Sequence, residues 1–168
     1  MPDNATKPVF LADAAADPVL VRVEGRACFQ NSRCLRDFFT EMARQEKRRF
    51  VIDLAGCTGM DSTFLGVLAG AALELRGGPA PGEIVVRRAN ARNLELLQNL
   101  GLHKLLTVEP GDCPDGDCAA LDSTPEKNEL ENARLALEAH KNLITADAAN
   151  GAKFQDVLAF LQKRCEQG

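Results

Sequence analysis

An α/β fold, one mixed sheet with helices packed on it and a C-terminal α-helical hairpin, is predicted by three features of this 168-residue sequence. Strand-like and helix-like patterns alternate as far as Val108. One strand-like run, Phe50 to Ala55, is apolar almost throughout, as a strand buried on both faces must be. Beyond Ser123 only helical periodicity remains.

The elements follow in order. Val9-Phe10-Leu11 is a short strand, and Asp17-Pro18 is a turn signal. In Val19-Leu20-Val21-Arg22-Val23-Glu24-Gly25 apolar and polar residues alternate as in a half-buried strand. Asn31-Ser32 is a helix cap, followed at helical spacing by Leu35, Phe38, Phe39 and Met42. The strand over 50–55 leads through Gly56-Cys57-Thr58-Gly59-Met60-Asp61-Ser62 into Leu65 to Leu75, a long apolar helix with Ser62 at its start that stops at Gly77-Gly78. Glu83 to Arg87 is a further strand, Ala91 to Leu100 a short helix capped by Gly101, and Leu105 to Val108 a last strand. The order β-β-α-β-α-β-α-β makes strands separated by helices parallel neighbours through right-handed crossovers, with helices covering a face of the sheet.

Composition divides the chain into a first domain over 1–108, an acidic cysteine-containing linker over 109–122 and a helical hairpin over 123–168. Ser123 and Glu126 have capping-box spacing, with Pro125 in the first turn. Leu130, Ala133, Leu137 and Ile144 mark one helical face, and Phe154, Val157, Leu158 and Leu161 another. A hairpin of this size has too little core to stand alone, so its apolar faces are expected to cover the first domain, a second copy or a partner.

The formal net charge of -4 offers no attraction for nucleic-acid backbones. Lys47-Arg48-Arg49 falls at a helix end, where cations suit the dipole. No run is long and apolar enough to span a bilayer, and the N-terminus lacks signal-peptide regions, so the cytoplasm is the expected location. Six cysteines are then expected as thiols; Cys113 and Cys118 in the linker lack the further ligands that zinc needs. Gly56-Cys57-Thr58-Gly59 lacks the Gly-Lys-Ser/Thr ending of a phosphate loop, and neither a cofactor nor a metal is expected.

The segment Asp61-Ser62-Thr63-Phe64-Leu65-Gly66, after a strand carrying Asp53-Leu54, resembles the Asp-Ser-Ser/Thr-x-Leu-Gly hallmark of STAS domains in bacterial anti-sigma factor antagonists. Leu97-Gln98-Asn99-Leu100-Gly101-Leu102 is similar to that family's closing helix. The resemblance covers roughly Val9 to Val108 and implies a STAS-type sheet and a regulatory binding protein without catalytic activity. By the same resemblance Ser62 is the phosphoacceptor, with Thr63 as the neighbouring hydroxyl. The implied partners are an anti-sigma factor that is also a serine kinase, and a phosphoserine phosphatase. Asp61, Ser62, Thr63, Phe64 and Gly66 are the implied partner-binding residues. Phe64 stands where the family often has Gly, and Arg26-Ala27 follows Gly25 where many members have an acidic residue.

Elementary electrostatics agrees with a switch here. A helix N-terminus tolerates an added phosphate, which beside its N–H groups is stabilised by roughly 0.3 to 1 kcal/mol. The same phosphate in an interface opposes binding. Phe64, beside the phosphoacceptor, is expected to be exposed as a partner anchor. The alternatives are that Asp61-Ser62-Thr63 is only a helix cap, that the domain is a non-phosphorylated scaffold or lipid-transport subunit, and that Ser62 serves a small hydrolase. Asp53 is expected to accept backbone hydrogen bonds, and His103, the candidate base for a hydrolase, to be a surface residue.

Overall fold

The computed structural model describes residues 8–78, 80–122 and 127–167. As far as residue 108 the chain forms β1 (Phe10–Asp13), β2 (Val19–Ala27), α1 (Ser32–Arg44), β3 (Arg49–Met60), α2 (Ser62–Arg76), β4 (Glu83–Arg87), α3 (Ala91–Asn99), a single 3-10 turn (Leu102–Lys104) and β5 (Thr107–Val108). The linker adds β6 (Ala119–Ala120), and the C-terminal part holds α4 (Glu129–Ala146), α5 (Asn150–Lys153) and α6 (Gln155–Gln167).

The sheet runs β5-β4-β3-β2-β1-β6. The strands from β2 to β5 are parallel to their neighbours, as crossovers through α1, α2 and α3 require, whereas β1 is antiparallel to β2 and to β6. Strand alternation sends Val19, Val21, Val23, Phe50, Ile52 and Leu54 into one core beneath the helices. Leu20, Arg22, Val51 and Asp53 point to the other face.

Three local readings are corrected. Strand β3 does not stop at Ala55: Gly56, Cys57, Gly59 and Met60 pair with Glu24, Gly25, Arg26 and Ala27 of β2, across register shifts between Arg22 and Glu24 and between Gly25 and Arg26. Asn31 makes no side-chain cap to α1; its Oδ1 accepts the Cys28 N–H at 3.0 Å, and the Ser32 hydroxyl donates to the Cys28 carbonyl at 2.6 Å. The linker is not wholly irregular. It crosses the second face of the sheet, where Gly116 packs against Asp13 and Leu20, and it contributes β6 at the edge beside β1. The capping box at Ser123 and Glu126 lies outside the described residues; helix α4 is capped by Asn128, which accepts from the Leu130 and Glu131 N–H groups.

The C-terminal helices pack on the sheet-and-helix layer before them, through α4. Ala133, Leu135, Ala139, His140 and Leu143 of α4 are buried, and Leu135 and Leu143 join the main core. Leu130, Leu137 and Ile144, expected on the covered face, are only half-buried. Polar ties fix the hairpin's position: Arg36 of α1 meets Glu138 at 3.0 Å, Lys104 meets Asp147 at 3.1 Å, and the buried Asn150 amide donates to the Leu100 and Leu143 carbonyls.

Candidate functional site

The site is built where β3 passes into α2. Asp61, in extended conformation, caps α2 by accepting the Phe64 N–H on Oδ1 at 2.9 Å. Its Oδ2 accepts the Phe29 N–H at 2.8 Å, so one carboxylate joins the helix start to the β2–α1 loop. Because Asp61 performs the capping, the Ser62 hydroxyl is released for another partner.

That partner is on α4. Ser62 Oγ lies 2.8 Å from His140 Nε2, and His140 Nδ1 lies 2.6 Å from the Ala136 carbonyl. A carbonyl only accepts, so Nδ1 carries a proton; in the neutral ring Nε2 is then the acceptor and Ser62 the donor. The imidazole is buried and packs edge-on against Phe154, with ring centroids 4.8 Å apart. Ser62 itself is half-buried. On its open side lies a cleft of about 430 Å³ lined by Met60, Leu65, Leu96, Leu100, Lys153 and Phe154.

The other residues assigned to this surface from sequence are placed as follows. Thr63 is buried. Phe64 is fully buried, contrary to its expected exposure: its ring stacks on Phe10 with centroids 5.9 Å apart and planes 13° from parallel. It belongs to the series Phe64, Leu68, Ala71 and Leu75, all buried, whose i, i+4, i+7, i+11 spacing defines one face of α2. Gly66 faces α4 directly. A Cβ there would lie 2.2 Å from the Ala139 carbonyl oxygen, so only glycine admits this separation of the helices. One turn on, Asn142 sits against Gly70 and donates to the Gly66 carbonyl at 3.3 Å.

The imidazole that meets Ser62 belongs to His140, which sequence reasoning had not singled out; His103 is exposed on the 3-10 turn. The Ser62–His140 pair has the hydrogen bond of a nucleophile and base, but the nearby helix-start donors are engaged: the Phe64 N–H by the Asp61 carboxylate and the Leu65 N–H by the Asp61 carbonyl.

Asp53 lies on the other face of the sheet, 1% exposed. It accepts the Ala55 N–H at 3.0 Å, as expected, and also a fork from Arg88 at 3.1 and 2.5 Å. Burial alone raises its pKa, but Arg88, the Ala55 N–H and the Cys113 thiol outweigh it and hold the carboxyl below its usual value. Burial likewise pushes the Cys113 and Cys118 thiols up. All six cysteines are thiols, and among the described residues no group of three or more His, Cys, Asp or Glu side chains gathers to hold a metal. No helix among the described residues is long and apolar enough to cross a membrane.

Comparison with known proteins bears on this geometry. A family model described as "Mlab, STAS domain" matches residues 10–107, the span from the start of β1 into β5. Among solved structures, the anti-sigma factor antagonist SpoIIAA in its unphosphorylated form is similar with a TM-score of 0.50 and 15% identity, over 62% of this chain and 89% of that one. That likeness shows the fold. No match was found among curated proteins.

Proposed function

The chain belongs to the Mlab-type STAS domain family, and from that premise we propose that it is a non-catalytic, cytoplasmic protein-binding module switched by phosphorylation of Ser62. The carrying observation is that Ser62 opens α2 while Asp61 does the capping, so modifying the hydroxyl removes no helix cap. A phosphate there lies at the positive end of α2 beside the open cleft, leaves the Asp61 cap in place, and takes away the hydroxyl proton that His140 accepts. In an interface the same phosphate adds about two negative charges, and a loss of roughly 3 kcal/mol lowers affinity a hundredfold or more. The partner read from the family hallmark is an anti-sigma factor acting as serine kinase on Ser62, with Thr63 the lesser acceptor and a phosphoserine phosphatase resetting the switch. The likeness to an antagonist described in its unphosphorylated form supports the same reading.

The test is incubation of the intact chain with an ATP-dependent anti-sigma kinase from its own source, followed by binding measurements. Modification confined to Ser62, with Ser62→Ala still binding and Ser62→Asp at least tenfold weaker, is the expected result. Equal affinity of the two variants overturns it. A second reading, a constitutive scaffold or lipid-transport subunit, is favoured by one observation: the Ser62 hydroxyl already has a protein partner in His140 and needs no phosphate to be satisfied. No modification by the kinase, with unchanged binding by Ser62→Asp, is the outcome that selects it.

A further inference from the structure

The surface of α2 that carries Ser62 is already occupied, and by a helix. Ser62, Gly66 and Gly70 recur every four residues along one line of α2, and α4 lies on that line at backbone contact. His140 receives the Ser62 hydroxyl, the Ala139 carbonyl fills the space a side chain on Gly66 would take, and the Asn142 amide bridges to the Gly66 carbonyl. The pairing is polar as well as apolar, since both end contacts are hydrogen bonds between side chains and α2 atoms. The match to the family ends at residue 107, so α4 is a covering that this chain adds to the matched domain.

We propose that the α2 face is a helix-recognition surface and that α4 is its internal occupant, which a partner helix must displace. This rests on the reading that the Ser62 end of α2 is the partner-binding surface, and it specifies the partner: an amphipathic helix with a small residue opposite Gly66 and a hydrogen-bond acceptor facing Ser62. Larger residues opposite Gly66 are rejected because the helices meet at backbone distance. Affinity for such a partner is reduced by the occupancy of α4, so the unliganded chain is held in a low-affinity state.

The test uses the full chain and a fluorescent synthetic peptide with the sequence of residues 129–146. In Ala139→Arg the new side chain has no room against α2, where Ala139 is 1% exposed, and α4 is expelled. Hydrogen exchange is expected to accelerate at least tenfold across α4 while the β3 amides keep their protection. The peptide is expected to bind this variant at least tenfold more tightly than the wild-type chain. Peptide affinity unchanged from wild type, with α4 shown to be released, overturns the proposal, as does full α4 protection in the variant. If the β3 amides also lose protection, Asn142→Arg, on the half-buried rim opposite Gly70, takes the place of the first variant with the same two readings. Neither peptide nor protein is phosphorylated, so failure here leaves the Ser62 switch to its own experiment.

Discussion

Gly66 provides the sharpest test of how the hairpin is held. In Gly66→Ala the added carbon would meet the Ala139 oxygen at 2.2 Å, its carbonyl carbon at 2.5 Å and its Cβ at 2.6 Å. Real contacts of this kind stay above 3.0 Å, so α4 must retreat by about 0.8 Å or more. Two of the three atoms are backbone, and no rotamer change moves them. Such overpacking costs about 1–3 kcal/mol. At this chain length each kcal/mol lowers the melting temperature by roughly 2–4 °C. The expected result is a lower melting temperature together with faster hydrogen exchange in α4, while β3 stays protected. Gly151→Ala is the control: its Cβ meets nothing within 4 Å, and in the short helix α5 the change should be neutral or stabilising by up to about 1 kcal/mol. A Gly66→Ala protein that melts with the wild type and retains α4 protection would refute the close approach of α2 and α4.

Two further outcomes follow from burial and charge. Phe64→Ala should destabilise the protein by about 3–5 kcal/mol in urea unfolding, because a fully buried ring stacked on Phe10 is lost, whereas Phe160→Ala, 69% exposed, should change stability by no more than about 0.5 kcal/mol. Equal effects would return Phe64 to the surface. Asp53 has a depressed folded-state pKa, so its contribution to stability is complete above the ordinary carboxylate value of about 4 and is lost as pH falls through the folded value. In Arg88→Met burial acts without its main counterweight, only the Ala55 N–H, the Cys113 thiol and Arg22 at 3.7 Å still oppose it, and the folded-state pKa rises. The variant should therefore melt well below wild type at neutral pH, with the gap narrowing on acidification; a gap independent of pH would show that Arg88 stabilises by packing alone.

Much of the fold was legible because periodicity and order carry it. A short, nearly continuous apolar run rich in β-branched and aromatic residues between two helical patterns suits an inner parallel strand, and β3 is one, with β2 and β4 on either side. The misreadings have physical causes. Gly56 and Gly59 look like a turn, yet both pair with β2, at Glu24 and Arg26, and the register shifts beside them let β3 keep its partner. Strand β6 has two exposed alanines, and no pattern exists in two residues; its partner, β1, makes it a strand. The nearness of Phe64 to Ser62 suggests exposure, but its spacing to Leu68, Ala71 and Leu75 puts it on the sheet-facing side of α2.

The position of the hairpin was contained in two observations that belong together. Helix α2 is apolar nearly all round, with Thr63 through Ala69 buried without a break, and a helix of that kind cannot lie on a sheet with its back to water. The hairpin, for its part, has too little core to fold alone. Each needs a cover, and the small residues Gly66, Gly70 and Ala139 let them supply it to one another at backbone distance. Large apolar residues dominate hydrophobic patterns, so Leu130, Leu137 and Ile144 drew attention while the contact is made by Ala139, His140 and Leu143. Close helix pairing is selected by what is absent at the interface, and a histidine there is admitted only because Ser62 and the Ala136 carbonyl satisfy both of its nitrogens. The Ser62 hydroxyl, like the Gly66 carbonyl that accepts from Asn142, is therefore a polar group on α2 that reports whether α4 is in place.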